Sequence, residues 1–147
     1  MGGHLWWYVE PYEPEIAAVL QRLRQREFQA GRYSPVIPVP AFPVTAHSPA
    51  PGPDHDSIDD ALEAADAQGT RTILDVPGLA GSDDDWGMKP LDRETLLDLF
   101  GTTRPVLAQV QGSDRLTESL DRGQSLYVVA YEAGQPAYLY FTGYSYD

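Results

Sequence analysis

Strand-forming apolar residues are concentrated near both ends of the chain. In HLWWYV (residues 4–9), Leu5, Trp7 and Val9 alternate with Trp6 and Tyr8, which predicts a β-strand with bulky residues on both faces. QSLYVVAYE and AYLYFTGYSYD flank AGQP, a turn sequence, which predicts a β-hairpin with strands at 125–131 and 137–144. The short apolar run RTILDV predicts a fourth strand at 71–76.

Between these segments, apolar residues recur at the spacing of α-helices. Ile16, Val19, Leu20 and Leu23 share one face of the first helix. TTRPVLAQVQG is ambiguous and is compatible with a further short helix. The expected helices begin at a capping residue or proline and end at a glycine: Pro14–Gly31, Ser57–Gly69, Asp92–Gly101 and Ser113–Gly123.

These elements predict the fold class. A chain of 147 residues has the usual size of one domain, so we expect a single domain over 1–147. The expected class is α+β in two layers, with a four-stranded, mainly antiparallel sheet and three to four helices on one face.

Residues 34–56 form a proline-rich segment with seven prolines. Its apolar residues are not typical of a solvated tether, and the part before it is too small for a separate core. We therefore expect SPVIPVPAFPV to lie in extended polyproline form over an aromatic face of the hairpin. SPAPGPDHD is the half expected to move, and a flexible tether remains the alternative.

The formal charge of −12 limits the partners of the protein. Such a charge repels nucleic acid and anionic membranes and favours a basic protein partner. The absence of cysteine excludes disulfides, thiol catalysis and cysteine-bound zinc. Neither a signal peptide nor a membrane span is predicted, so we expect a cytoplasmic protein.

Two groups of side chains are candidates for binding. Acidic residues recur along one stripe of the second helix, and a tryptophan lies in the acidic loop GSDDDWG, where it would be an interface anchor if exposed. The tyrosines of the hairpin, with Trp6 and Tyr8, would present a stacking surface if they shared one face, although core packing is the favoured interpretation. The candidates are Asp59, Glu63, Asp66, Trp86, Tyr127, Tyr131, Tyr138 and Tyr140.

Signals for catalysis are weak. The common nucleophile, phosphate-loop, dinucleotide and zinc-protease motifs are absent. If the protein is an enzyme, His47 and His55 with Asp54 and Asp56 are the candidates for acid–base or metal chemistry. The favoured interpretation of the DHD sequence is a solvated histidine between helix-dipole carboxylates, so no metal or cofactor is predicted.

Three segments resemble a known group of proteins: YEPEIAAVLQRLRQREFQAGRYSPV, HDSIDDALEAADAQGTRTILDV and FTGYSYD. The group consists of small acidic bacterial proteins, often from actinomycetes, for which no activity, cofactor or catalytic residue is established. The resemblance implies a single bacterial cytoplasmic domain. It implies no site residue.

The favoured function is a non-catalytic, acidic protein-binding module that docks a basic partner, as an immunity protein, inhibitor or accessory subunit does. The alternative is a small enzyme or ligand-binding protein of specialised metabolism. Its small-molecule pocket would lie between the proline-rich segment and a tyrosine-rich sheet face. Mimicry of nucleic acid is a third, less favoured interpretation.

Overall fold

A computed structural model of the chain describes residues 3–81 and 87–146. Within them the chain has an α+β fold with an open four-stranded sheet and five α-helices. The strands are β1 (Leu5–Pro11), β2 (Lys89–Pro90), β3 (Ser125–Glu132) and β4 (Gln135–Tyr144). The helices are α1 (Ile16–Ala30), α2 (Ile58–Ala65), α3 (Arg93–Phe100), α4 (Leu107–Gln111) and α5 (Asp114–Glu118).

The strands lie in the order β1-β4-β3-β2, so β1 forms one edge of the sheet. β1 and β3 run antiparallel to β4, and β2 runs parallel to β3. The predicted hairpin is confirmed, and Glu132 pairs with Gln135 across a two-residue turn. Ala133 and Gly134 both have positive φ, at 51° and 79°. This conformation is the type I′ turn whose twist suits adjacent antiparallel strands.

The two faces of the sheet contact different parts of the chain. On the first face, Trp6 and Phe141 share a core with α1 and the segment 73–76. On the second face, Val128 and Tyr140 share a smaller core with α4 and α5. Helices were expected on one face, but they contribute to the cores on both faces. Successive residues of β3 and β4 are apolar, so both faces need cover.

Residues 71–76 were expected to form a strand, and this prediction is wrong. The chain forms a 3-10 turn at Ile73–Asp75, with the Thr72 side chain as its N-terminal cap. Arg71 has a φ of 62°, which is incompatible with an extended strand. The fourth strand is instead the short segment Lys89–Pro90, which extends the sheet beyond β3.

A buried polar cluster stabilises this turn. The backbone N–H and hydroxyl of Thr70 donate to the Asp75 carboxylate at 2.7 and 2.8 Å, and the Thr70 and Thr72 hydroxyls are 2.8 Å apart. Arg24 donates to the Leu74 carbonyl oxygen at 2.9 Å. Burial raises the pKa of Asp75 and lowers that of Arg24. Local side-chain hydrogen bonds therefore replace strand pairing here.

The helix boundaries agree with most of the capping signals. α1 begins at Ile16, two residues after Pro14. α2 ends at Ala65 rather than at Gly69, because residues 66–68 form a separate 3-10 turn. The expected N-caps are confirmed at Ser57, Asp92 and Ser113, whose side chains accept the backbone N–H groups of Asp60, Thr95 and Leu116.

The proline-rich segment 34–56 returns to the C-terminal end of α1. The N–H of Gly52 donates to the Ala30 carbonyl oxygen at 3.0 Å. A Cβ on Gly31, the αL cap of α1, would clash with the backbone of Gly52. The two glycines therefore allow a direct backbone contact between the helix end and the segment.

Arg32 provides a second attachment of the proline-rich segment. Its guanidinium donates to the carbonyl oxygens of Ala46 and Ser48 at 3.1 and 3.3 Å. Ile37 and Val44 are buried within the segment. Residues Val39–Ala41 form a 3-10 turn, and the expected cover of the tyrosines by SPVIPVPAFPV stays a prediction. The Ser34–Pro35 and Phe42–Pro43 peptide bonds are cis.

Among the described residues, no helix has the length and apolar character to cross a membrane.

Candidate docking surface

Residues 54–66 carry a run of exposed carboxylates, which we call the acidic surface. Its helix α2 is attached to the core through Ile58, Ala61 and Ala65, which are all buried. The helical period therefore turns the acidic residues outward. The acidic surface consists of Asp54, Asp56, Asp59, Asp60, Glu63 and Asp66, and all six residues are exposed.

The predicted stripe is present only in part. Asp59 and Glu63 lie one turn apart on α2. Asp66 has a φ of 53° and belongs to the following 3-10 turn. Its carboxylate therefore extends the acidic surface beyond the helix rather than continuing the stripe in helical register.

The core holds the start of the acidic surface in place through Tyr33, which has no exposed area. The Tyr33 hydroxyl accepts the backbone N–H of Asp54 at 3.3 Å and lies 2.7 Å from Nδ1 of His55. Because the hydroxyl accepts from Asp54, its own proton is available to His55 Nδ1. Burial is the main cause of a raised pKa at Tyr33, with a further contribution from the Asp54 carboxylate. The Tyr33 ring also stacks on Phe28, at 5.8 Å between centroids.

The capping residue of α2 fixes the next part of the surface. The Ser57 hydroxyl accepts the N–H of Asp60 at 3.1 Å. Asp59 and Asp60 lie in the first helical turn, where carboxylates interact favourably with the helix dipole. The backbone that carries these carboxylates is therefore ordered before any partner binds.

The carboxylates of the acidic surface form no ion pair with any described residue. Within the described ranges, the ion pairs use four other acidic residues, and none includes a residue of the acidic surface. Burial lowers the pKa of Arg24, and the nearby Asp59 carboxylate opposes this effect. Arg24 is itself buried. The acidic surface therefore presents a nearly unbalanced negative charge to the solvent.

Three arginines near α1 pair with other carboxylates. Arg22 pairs with Glu13. Arg26 and Arg32 both pair with Glu27, at 3.1 and 3.0 Å. These arginines are engaged near α1 and do not balance the acidic surface.

Tyr33→Phe is expected to loosen the start of the acidic surface without unfolding α2. The change removes two hydrogen bonds, and each contributes on the order of 0.5–1.5 kcal/mol. Hydrogen exchange should become several-fold faster at the Asp54 amide, as measured by NMR. The control is Tyr12→Phe, whose hydroxyl makes no such bond in the described structure. Equal exchange rates at Asp54 in both variants would contradict the role of Tyr33.

The two candidate catalytic histidines have different surroundings. His47 is exposed, and its backbone N–H donates to the Thr45 hydroxyl at 3.1 Å. His55 instead contacts Tyr33, and no hydrogen bond in the described structure joins the two histidines. Among residues 3–81 and 87–146, no three histidine or carboxylate groups are placed to hold a metal ion.

The hairpin tyrosines do not share one face. Tyr127 belongs to the core on the first face, whereas Tyr138 and Tyr140 belong to the core on the second face. The guanidinium carbon of Arg104 lies 5.7 Å from the Tyr131 ring centroid. Burial raises the pKa of Tyr140. The hairpin tyrosines therefore do not line one common face, and the pocket beside such a face stays a prediction. Trp86 lies outside the described residues.

A cleft lies elsewhere, beside residues 123–125 and Tyr146. Its volume is about 460 Å³, and a neighbouring hollow of about 250 Å³ shares these residues and reaches Trp6. Lys89 and Arg122 line the larger cleft, and no residue of the proline-rich segment lines either space. The volume is within the range of small-molecule sites, roughly 300–1,000 Å³.

Sequence reasoning missed the role of Tyr33. The residue follows the glycine that ends α1, so the pattern of the helix gives no reason to expect it in the core. The nearest signal is the sequence GRY itself, because the chain must reverse at the αL glycine and bring the next residues back onto the helix.

Comparison with known proteins gives no relative. No family model, no curated protein and no solved structure matches the chain. The function is therefore inferred from the residues and their arrangement.

Proposed function

We propose that the protein is a cytoplasmic, non-catalytic binding module that docks a basic region of a protein partner through the acidic surface. The observation that supports this proposal is the set of exposed carboxylates over residues 54–66, which form no ion pair in the described part of the chain and lie on a backbone tied to the core. Such a surface favours lysine- and arginine-rich partners.

Order in the acidic surface distinguishes docking from general solubility. Acidic residues that serve solubility alone need no fixed positions. Here the backbone that carries the acidic residues is fixed. It is held by the buried residues Ile58 and Ala61, by the Ser57 cap and by the Tyr33 hydroxyl. A partner that binds a preformed surface loses less conformational entropy than one that must order it.

Charge also selects among partners. At physiological ionic strength, the field of exposed charges extends over about 8 Å. The six carboxylates lie within one short stretch of chain, so their fields add over the same region. This arrangement accelerates encounter with a basic protein and opposes binding of nucleic acid or anionic lipid.

Reversing two charges tests the proposal. Asp59→Lys combined with Glu63→Lys is expected to weaken partner binding on the order of tenfold or more at low salt, with a smaller difference at high salt. The variant and the wild type are each cross-linked in extract of the host organism, and the partner recovered by the wild type is then titrated against both.

A matched variant separates the acidic surface from total charge. Glu94→Lys with Glu118→Lys makes the same change in net charge at exposed residues of α3 and α5. This control should keep near wild-type affinity. Equal weakening in both double variants would show a general charge effect, and unchanged binding in both would remove the acidic surface from the interface.

A further inference from the structure

Strand β1 forms an edge of the sheet, with β4 on its inner side. It is seven residues long and mostly apolar. Trp7 is 37% exposed. This edge is separate from the acidic surface.

The register of β1 shows which backbone groups point outward. The N–H of Ser145 donates to the carbonyl oxygen of His4 at 2.9 Å. The N–H of Tyr12 donates to the carbonyl oxygen of Ala137, also at 2.9 Å. These bonds fix the even-numbered residues of β1 as the ones that bond to β4, because bonding pairs alternate along an antiparallel strand. The backbone groups of Leu5, Trp7 and Val9 therefore point away from the sheet.

The outward groups have no partner within the described part of the chain. No backbone or side-chain hydrogen bond reaches the N–H of Leu5, Trp7 or Val9 from another element. Unpaired edge groups on an apolar strand are a template for pairing with another strand.

Devices that usually protect an edge are scarce on β1. The strand carries no lysine and no internal proline, and its regular pairing with β4 shows no bulge. Its one charged residue, Glu10, is paired with Arg26 at 2.7 Å. Pro11 has no N–H and therefore limits pairing to the residues before it.

We infer that β1 pairs with β1 of a second copy of this chain, antiparallel across a two-fold axis at Trp7. In this register Trp7 faces Trp7 of the second copy. Leu5 of each copy faces Val9 of the other. Each of these pairs exchanges two backbone hydrogen bonds. The side chains of Leu5, Trp7 and Val9 lie on one face of the strand, so the pairing also joins two apolar stripes.

Two features favour a second copy over an unrelated strand. The outward residues are symmetric about Trp7, with an aliphatic residue two positions away on each side, and a two-fold interface requires such self-complementarity. The charge of the chain is also unfavourable to self-association through most of its surface. The β1 edge is an exception that permits self-association, because Glu10, the only acidic residue of the strand, is paired with Arg26.

Sedimentation equilibrium of the full chain tests the pairing. The wild type should show twice the monomer mass of 16.2 kDa at micromolar concentration and above. Trp7→Lys should restore the monomer mass, because each interface contains the substitution twice and lysine is a typical edge-protecting residue. Leu97→Lys is the matched control, since Leu97 is an apolar residue of α3 with 45% exposure. This control should leave the dimer unchanged.

A cross-link tests the register, and the absence of native cysteine makes the experiment simple. The Cα atoms of a hydrogen-bonded antiparallel pair are about 5.5 Å apart, within the range that a disulfide spans. Trp7→Cys should therefore form a covalent dimer under mild oxidation, whereas Leu97→Cys should remain mainly monomeric. A wild type that stays monomeric at all concentrations, a dimer that survives Trp7→Lys, or no cross-link in Trp7→Cys would overturn the inference.

Discussion

Gly31→Ala is expected to lower the free energy of unfolding by about 2–4 kcal/mol. The residue has a φ of 73°, and a left-handed conformation costs a non-glycine residue roughly 1–2 kcal/mol. The added Cβ would also clash with the Gly52 backbone and displace the hydrogen bond from Gly52 to Ala30. A hydrogen bond of this kind contributes on the order of 1 kcal/mol. Urea denaturation followed by circular dichroism measures the loss.

Gly101→Ala is the matched control. Gly101 ends α3 with a φ of 71°, and among the described residues no atom beyond its two chain neighbours lies within 4 Å of the position of its missing Cβ. This variant should lose only the backbone term, about 1–2 kcal/mol. The difference between the two variants measures the contact of the proline-rich segment with α1. Equal losses would mean that this contact contributes nothing to stability.

Glu27→Ala is expected to have the largest effect, a loss of about 3–5 kcal/mol, which is typical of removing one partner from a buried ion pair. The Glu27 side chain is 1% exposed and accepts from both Arg26 and Arg32. Only 12% of the Arg32 side chain is exposed, so the substitution leaves a largely buried cation without its carboxylate. Thermal and urea unfolding of the variant measure the loss.

The matched control for Glu27 is another glutamate paired with an arginine near α1. Glu13 pairs with Arg22, and both side chains are about half exposed. Pairs of this kind contribute about 0–1 kcal/mol, so Glu13→Ala should be close to wild type. If the two variants unfold at the same denaturant concentration, the Glu27 pairs are not a major source of stability.

Glu27 also affects the hydroxyl of Tyr8 on β1. Burial is the main cause of the raised pKa of the Tyr8 hydroxyl, and the Glu27 carboxylate raises that pKa further. Tyr8 therefore remains neutral throughout the range in which the protein is handled. The charge in this region resides on the carboxylate and its two arginines.

The hairpin and the helix starts were predicted correctly, because they depend on residues that are close in sequence. The hairpin follows from a two-residue turn sequence between strand-forming residues, and the helix starts follow from side chains that bond to backbone three residues ahead. The α+β fold with a four-stranded sheet was also expected. One of its strands was assigned to the wrong segment.

The errors have tertiary causes. RTILDV has the composition of a buried strand, and its apolar residues are indeed buried, but the hydrogen bonds of Thr70 and Thr72 favour a compact turn. β2 consists of Lys89 and Pro90 alone, and so short a segment has no periodicity to detect. The tyrosines were difficult to place for another reason. When adjacent strands are apolar at every position, alternation no longer distinguishes the two faces.

The same limit applies to the candidate site. The carboxylates of residues 54–66 are evident in the sequence, but their lack of ion pairs is not. Whether an arginine reaches a carboxylate depends on where α1 lies relative to α2. Tyr33 and His55 are also distant in sequence, and their contact exists only because the proline-rich segment returns to the end of α1.

The pairing of β1 with β4 has a consequence for the order of events during synthesis. Residues 5–11 hydrogen-bond to residues 138–144, so the first strand leaves the ribosome long before its neighbour exists. Contacts between such distant segments slow folding. During this delay both edges of β1 and its two tryptophans are open to solvent. The nascent chain therefore presents a strongly apolar strand to chaperones and to other chains until translation has reached β4.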